Sequence, residues 1–232
     1  MSATAMIQDL PNVGVLVDQL NPFLFQRIKR EVEGFRQDFN SKGKDPAEAK
    51  DMLRFFHKKK AGYSIDYTFS PALAEDINKE VLKLVNFYES KYNYFNKMFN
   101  FTTDTTGCDM NMDLERLWLN FQRAGEFMPL HNHTGIYSFV IWAYIPYNIK
   151  DEQENLANID LIKNRSAQFE FIYPDVLGKQ SIFSLPVDKS WEGRICIFPA
   201  DLHHQVHPFY TSDDVRISVA GNYRIKLTET AE

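Results

Sequence analysis

Residues 118–147 read WLNFQRAGEFMPLHNHTGIYSFVIWAYIPY, and the rest of the chain is parsed outward from them. Two runs rich in alternating, β-branched and aromatic residues read as strands, and between them stand two histidines one residue apart, His131 and His133. Side chains two apart on an extended backbone share a face, so both imidazoles can converge on one metal ion. A third ligand must come from elsewhere. Residues 195–209, ICIFPADLHHQVHPF, supply His203, His204 and His207. Five of the 6 histidines therefore lie in two short segments, while His57 sits among lysines and reads as a solvated surface residue. Any one of the five, taken alone, is better explained as a loop histidine bonded to backbone. Two clusters beside strand-like runs point instead to a site.

The 232 residues, 44% of them hydrophobic, suffice for one compact structural domain with a substantial core. A formal net charge of -5 gives no basic footprint and argues against nucleic acid as the main partner. Cys108 and Cys196 are too few for a disulfide framework, and no leader-like or long apolar run marks secretion or membrane insertion. The expected compartment is the cytoplasm. An aromatic fraction of 14% favours a sheet-rich core.

Along the chain, GVLV at 14–17 predicts a short strand, and Asn21-Pro22 opens a helix of about four turns with Phe23, Phe25, Ile28, Val32 and Phe35 on its stripe. Residues 41–60 read as a charged loop with room for one helical turn, and 61–70 as a strand. Pro71 begins a second helix that continues toward Met98, with Leu73, Ile77, Val81, Leu82, Leu84, Val85 and Tyr88 on its buried side. A polar turn region over 102–110 places a seam near residues 100–112. Residues 1–112 are thus a helical support with leading strands, and 113–232 a core of strands at 115–123, 137–145, 168–173, 181–185, 194–198 and 216–226. The class is mostly β with N-terminal helices (α+β), a sandwich or barrel. The charged insert 148–165 is either a lid over the barrel mouth or a solvated excursion.

A jelly-roll would bring His204 on a later antiparallel strand beside His131 and His133, leaving other coordination positions open. In RISVAGNYRI, Arg216 and Ser218 share a face with Ala220 and Asn222, so a guanidinium and a hydroxyl point inward together. A buried arginine needs an anion. No acidic residue alternates onto that face, which leaves a ligand carboxylate or an acidic residue elsewhere in the fold as its partner. Asn120 and Gln122 alternate onto one face with Trp118; their amides could bind cosubstrate or simply satisfy barrel edges. Trp142 and Tyr144 are expected to share a face, and Tyr144 stands as a further cosubstrate candidate.

The order H-x-H, an aromatic-rich strand ending in Pro, GRICIFPADLHH and then RIS resembles the 2-oxoglutarate/iron(II)-dependent oxygenases with a double-stranded β-helix (jelly-roll, cupin-like) core, in particular an H-x-H subgroup with some phage-encoded members. The resemblance spans roughly residues 118–225. It implies an Fe(II) cofactor and 2-oxoglutarate as cosubstrate, with His131, His133 and His204 as metal ligands and no catalytic side chain beyond that centre. Arg216 and Ser218 match the R-x-S pair that binds the C5 carboxylate. His133 stands where most members have a carboxylate. Asp201, three residues before His204, is a weak substitute at the wrong offset. His203 and His207 fall outside the ligand set. The implied activity is a dioxygenase, a hydroxylase of unstated substrate. The alternative is a cupin-like metal-binding module without turnover, for which the neutral His133 speaks. Partners are then a small-molecule cosubstrate and a substrate, with homo-oligomers compatible and the host cytoplasm as the compartment of a phage-encoded member.

Overall fold

The computed structural model describes residues 13–41, 52–53, 63–66, 69–99, 108–155 and 164–229. His57 and the middle of the charged insert lie outside these residues. The strands are β1 (Leu16–Gln19), β2 (Met52–Leu53), β3 (Tyr63–Asp66), β4 (Cys108–Gln122), β5 (Met128–His131), β6 (Tyr137–Tyr144), β7 (Gln168–Pro174), β8 (Gln180–Pro186), β9 (Arg194–Pro199), β10 (His204–Val206) and β11 (Arg216–Glu229). The helices are α1 (Pro22–Ser41), α2 (Pro71–Tyr92), α3 (Tyr94–Phe99) and α4 (Ile149–Glu154).

Two sheets form. The larger has the order β1-β9-β6-β11-β4-β3-β2 and the smaller β5-β10-β7-β8. Neighbouring strands in both are antiparallel. Alternation in β6 explains why the large sheet is covered on both sides. Tyr137, Phe139 and Ile141 face the helices, where they join Ile28 and Val32 of α1 and Ile77, Val81 and Val85 of α2 in one buried cluster. Val140 and Trp142 face the small sheet, and with Cys196 and Phe198 of β9 and Phe169 and Phe171 of β7 they form a second cluster. The molecule is therefore layered helix, large sheet, small sheet, with apolar burial on both faces of the middle layer.

The sequence-predicted elements appear with shifted ends. α1 runs 20 residues rather than about four turns. The second helix stops at Tyr92 because Asn93 takes a left-handed conformation and caps it, its N–H bonded to Glu89 O, before the short α3 begins. β4 begins at Cys108 and so runs through the seam expected near residues 100–112. The insert opens as α4, whose Glu152 is fully buried and accepts hydrogen bonds from the backbone N–H groups of Tyr210 and Thr211. Among the described residues no helix is long and apolar enough to cross a membrane.

Candidate metal centre and its pocket

His131 is the last residue of β5 and His204 the first of β10, and antiparallel pairing sets them directly opposite one another. Their ring centroids are 4.2 Å apart. His133 lies just beyond the strand, held by its backbone N–H to Ala200 O at 2.9 Å, and its ring is 5.1 Å from each of the others. The three ligand nitrogens all lie within 4.8 Å of one another. Gly135 makes this return possible. It has φ +103°, and a Cβ there would meet Tyr223 O at 2.5 Å.

Two carbonyls orient the rings. His131 Nδ1 is 2.7 Å from Pro129 O and His204 Nδ1 is 2.9 Å from Leu202 O. A carbonyl only accepts, so Nδ1 carries the proton and Nε2 keeps its lone pair, the arrangement a metal-ligating histidine needs. Neither Nε2 has a hydrogen-bond partner among the described residues. His204 is 3% exposed and packs against Phe169 and Phe198. Burial pushes its pKa well below the usual 6.5, with His131 and His133 adding to the effect. Burial also lowers His131, and it lowers His133 to about 4, assisted by His131 and Arg116. All three are neutral near neutral pH and competent to donate lone pairs. The donor set thus fits a divalent ion. No carboxylate belongs to the cluster among the described residues. Asp201 is exposed, beside Tyr94.

The histidines line a cavity of about 330 Å³ between the two sheets. β4 contributes Arg116, Trp118, Asn120 and Gln122, and β11 contributes Arg216, Ser218, Ala220 and Asn222, paired across the strands in reverse order. Arg216 is 4% exposed and donates to the Tyr147 hydroxyl at 3.3 Å. No carboxylate lies within ion-pairing distance of it among the described residues. Ser218 Oγ accepts from Asn120 Nδ2 at 3.4 Å, which leaves the hydroxyl proton of Ser218 free to donate into the cavity. Gln122 instead donates to His207 O at 3.1 Å and ties the strand end to a loop.

Tyr144 is a correction. It does not line the cavity; its hydroxyl bonds Asp214 and Arg36, each at 2.8 Å, on the helical side of the large sheet. A bulge is the cause. Ser218 pairs with Trp142 while Ile217 pairs with Tyr144, so the extra residue Ala143 reverses the parity that would have put Trp142 and Tyr144 on one face. Tyr147, which directly follows Pro146 and lies three residues past the end of β6, is the polar neighbour of Arg216 that alternation did not single out. His207 bonds the buried carboxylate of Glu170 at 2.8 Å. His203 is exposed, and its carbonyl accepts from Ile172 N–H.

Residues 116–222 match the family described as "Putative 2OG-Fe(II) oxygenase". No curated protein matches the chain in sequence. Among solved structures, a Pseudomonas putida prolyl-4-hydroxylase is similar at TM-score 0.51 and 13% identity, with 91% of this chain and 93% of that chain covered. AviO1 from Streptomyces viridochromogenes is similar at TM-score 0.56 and 13% identity, covering 91% and 90%. A Trichoplax adhaerens prolyl hydroxylase, solved with a peptide fragment, is similar at TM-score 0.53 and 12% identity, covering 91% and 83%. At such identities the likeness is one of fold, the double-stranded β-helix. Residues 116–222 thus belong to the 2OG-Fe(II) oxygenases, and Fe(II) and 2-oxoglutarate are the cofactor and cosubstrate of this enzyme.

Proposed function

We propose that His131, His133 and His204 hold Fe(II), that Arg216, Ser218 and Asn120 receive the far carboxylate of 2-oxoglutarate, and that the enzyme is a hydroxylase. The observation that carries this reading is one cavity in which three neutral, inward-turned imidazoles stand near a buried arginine that has no carboxylate partner among the described residues. Iron with 2-oxoglutarate supplies oxidising power from O2 for cleavage of a substrate C–H bond.

The chain's own residues do the positioning. Arg216 presents a planar fork to a carboxylate, and the Tyr147 hydroxyl steadies one arm of it. Ser218 donates its hydroxyl proton to the same carboxylate while Asn120 fixes its oxygen. Phe169 and Phe198 wall His204 against water, which strengthens the electrostatic contacts on that side of the site. A second reading, a metal-binding module without turnover, is favoured by the absence of a carboxylate from the histidine cluster among the described residues. On either reading the expected setting is the cytoplasm, the host's if the protein is phage-encoded.

The test is calorimetric titration of 2-oxoglutarate into Mn(II)-loaded protein. Arg216→Ala should weaken binding by about 30-fold or more, the loss associated with truncating one member of a buried charge pair, and leave metal stoichiometry intact. Unchanged cosubstrate affinity would remove the assignment.

A further inference from the structure

Along β11 the cavity lining advances two residues at a time. Arg216 marks one end, Ser218 follows opposite Asn120, and Ala220 pairs with Trp118, whose ring is 5.4 Å from that of His133. Asn222 is the next residue on that face, so it lies past the metal centre as seen from Arg216. It is 2% exposed. Its Oδ1 accepts from Ser138 Oγ at 2.8 Å, and its Nδ2 has no partner among the described residues. Unlike the unpartnered Trp142 Nε1 and Tyr137 hydroxyl, that nitrogen is not sealed in the core, so its N–H group opens onto the cavity that Asn222 lines. A donor so nearly buried is normally met by an acceptor.

The surroundings of this donor decide which acceptor suits it. The return after His133 passes over it, since a Cβ on Gly135 would lie 3.9 Å from Asn222 Cβ. Asn132 and Thr134, on either side of His133, line the cavity and are exposed. Each can both donate and accept. Arg116, across the strand pair from Asn222, is exposed and has an interaction of its own, so it brings no buried charge to this end. Among the described residues no acidic residue or lysine lines the cavity. A carboxylate here would give up its hydration for one neutral N–H donor, and an ammonium would find no anion at all. Both are costly. A neutral carbonyl needs no more than the donor Asn222 offers. Trp118 and Val140, on the strands flanking Ala220, add apolar wall beside it.

We propose that Asn222, with Asn132 and Thr134 at the rim, forms a substrate subsite for an uncharged secondary amide. Asn222 Nδ2 donates to the amide oxygen, the rim side chains accept from its N–H, and the attached carbon skeleton lies against Trp118. This rests on the oxygenase reading above for the place of 2-oxoglutarate at Arg216.

The test is saturation-transfer NMR on the full chain with Zn(II) and saturating 2-oxoglutarate. N-benzylacetamide is compared with benzylammonium and 3-phenylpropionate, a cation and an anion of similar size. The amide should bind about fivefold or more tightly than either, the worth of a hydrogen bond made without stranding a charge. Asn222→Ala combined with Ser138→Ala removes both members of the buried pair and should weaken the amide about fivefold or more, with 2-oxoglutarate affinity unchanged. Thr134→Val, at an exposed position, should weaken it about twofold and keeps the test decisive if the double variant does not fold. A charged probe binding as tightly as the amide would overturn the neutral class. Amide affinity unchanged in the double variant, or in Thr134→Val where that variant alone folds, would overturn the subsite. So would a fall in 2-oxoglutarate affinity in the double variant, which would give Asn222 to the cosubstrate instead. If the protein takes up no 2-oxoglutarate, the oxygenase reading fails by itself, and the amide comparison between wild type and variants still decides the subsite.

Discussion

His133 carries both the departure from the usual ligand set and the clearest pH signature. Its pKa falls from 6.5 to about 4 on folding, chiefly through burial. Because the folded value is the lower one, the unfolded chain takes up the proton first. The stabilisation is full above pH 6.5 and declines as pH falls toward 4, a loss of ~3 kcal/mol from this group. His131 and His204 shift in the same direction. The metal-free protein should therefore lose thermal stability between pH 6.5 and 4, with a shallower slope in His133→Gln; circular dichroism melts at stepped pH measure this, and a flat profile would refute it. Tyr144 tests the corrected placement. Tyr144→Phe should cost ~1 kcal/mol of stability through the lost bond to Asp214, yet leave 2-oxoglutarate affinity unchanged. A fall in affinity would return Tyr144 to the cosubstrate site.

At the level of elements, much of the site was legible because strand alternation is strict wherever the ladder is regular. Spacing alone puts Arg216, Ser218, Ala220 and Asn222 on one face, and the β4–β11 register carries them to one cavity with Trp118 and Asn120. Alternation fails where the ladder is not regular. The bulge at Ala143 has no sequence mark in FVIWAYIPY, and it turned Tyr144 away. β5 and β10 are 4 and 3 residues long, too short to announce themselves, yet their ends hold His131 and His204. The H-x-H pair converges through a tight return after the strand rather than through simple two-residue spacing. Gly135 carries that return. Gly135→Ala should destabilise the fold by more than ~1 kcal/mol, from the positive φ and the clash with Tyr223 O, and weaken metal uptake by moving His133. A melt and a metal titration on the variant check both, and wild-type values for either would contradict the role given to this glycine.

For the whole molecule, the layering explains why a chain with so much aliphatic and aromatic burial can keep a polar cavity. α1 and α2 close the back of the large sheet, so its other face is free to share a core with the small sheet at one end and a cavity at the other. This layering could be anticipated from helices followed by strands, whereas the pairing order of the strands, and with it the opposition of His131 to His204, depends on long-range contacts that local pattern does not encode. The account stands on metal and keto acid meeting in that cavity and on turnover with three neutral ligands. Its most direct test adds Fe(II) and then 2-oxoglutarate to metal-free protein without oxygen, records the visible charge-transfer absorption, and assays succinate after oxygen is admitted. The account predicts absorption followed by slow succinate release, both lost in Arg216→Ala; stoichiometric metal uptake with neither absorption nor succinate would contradict it.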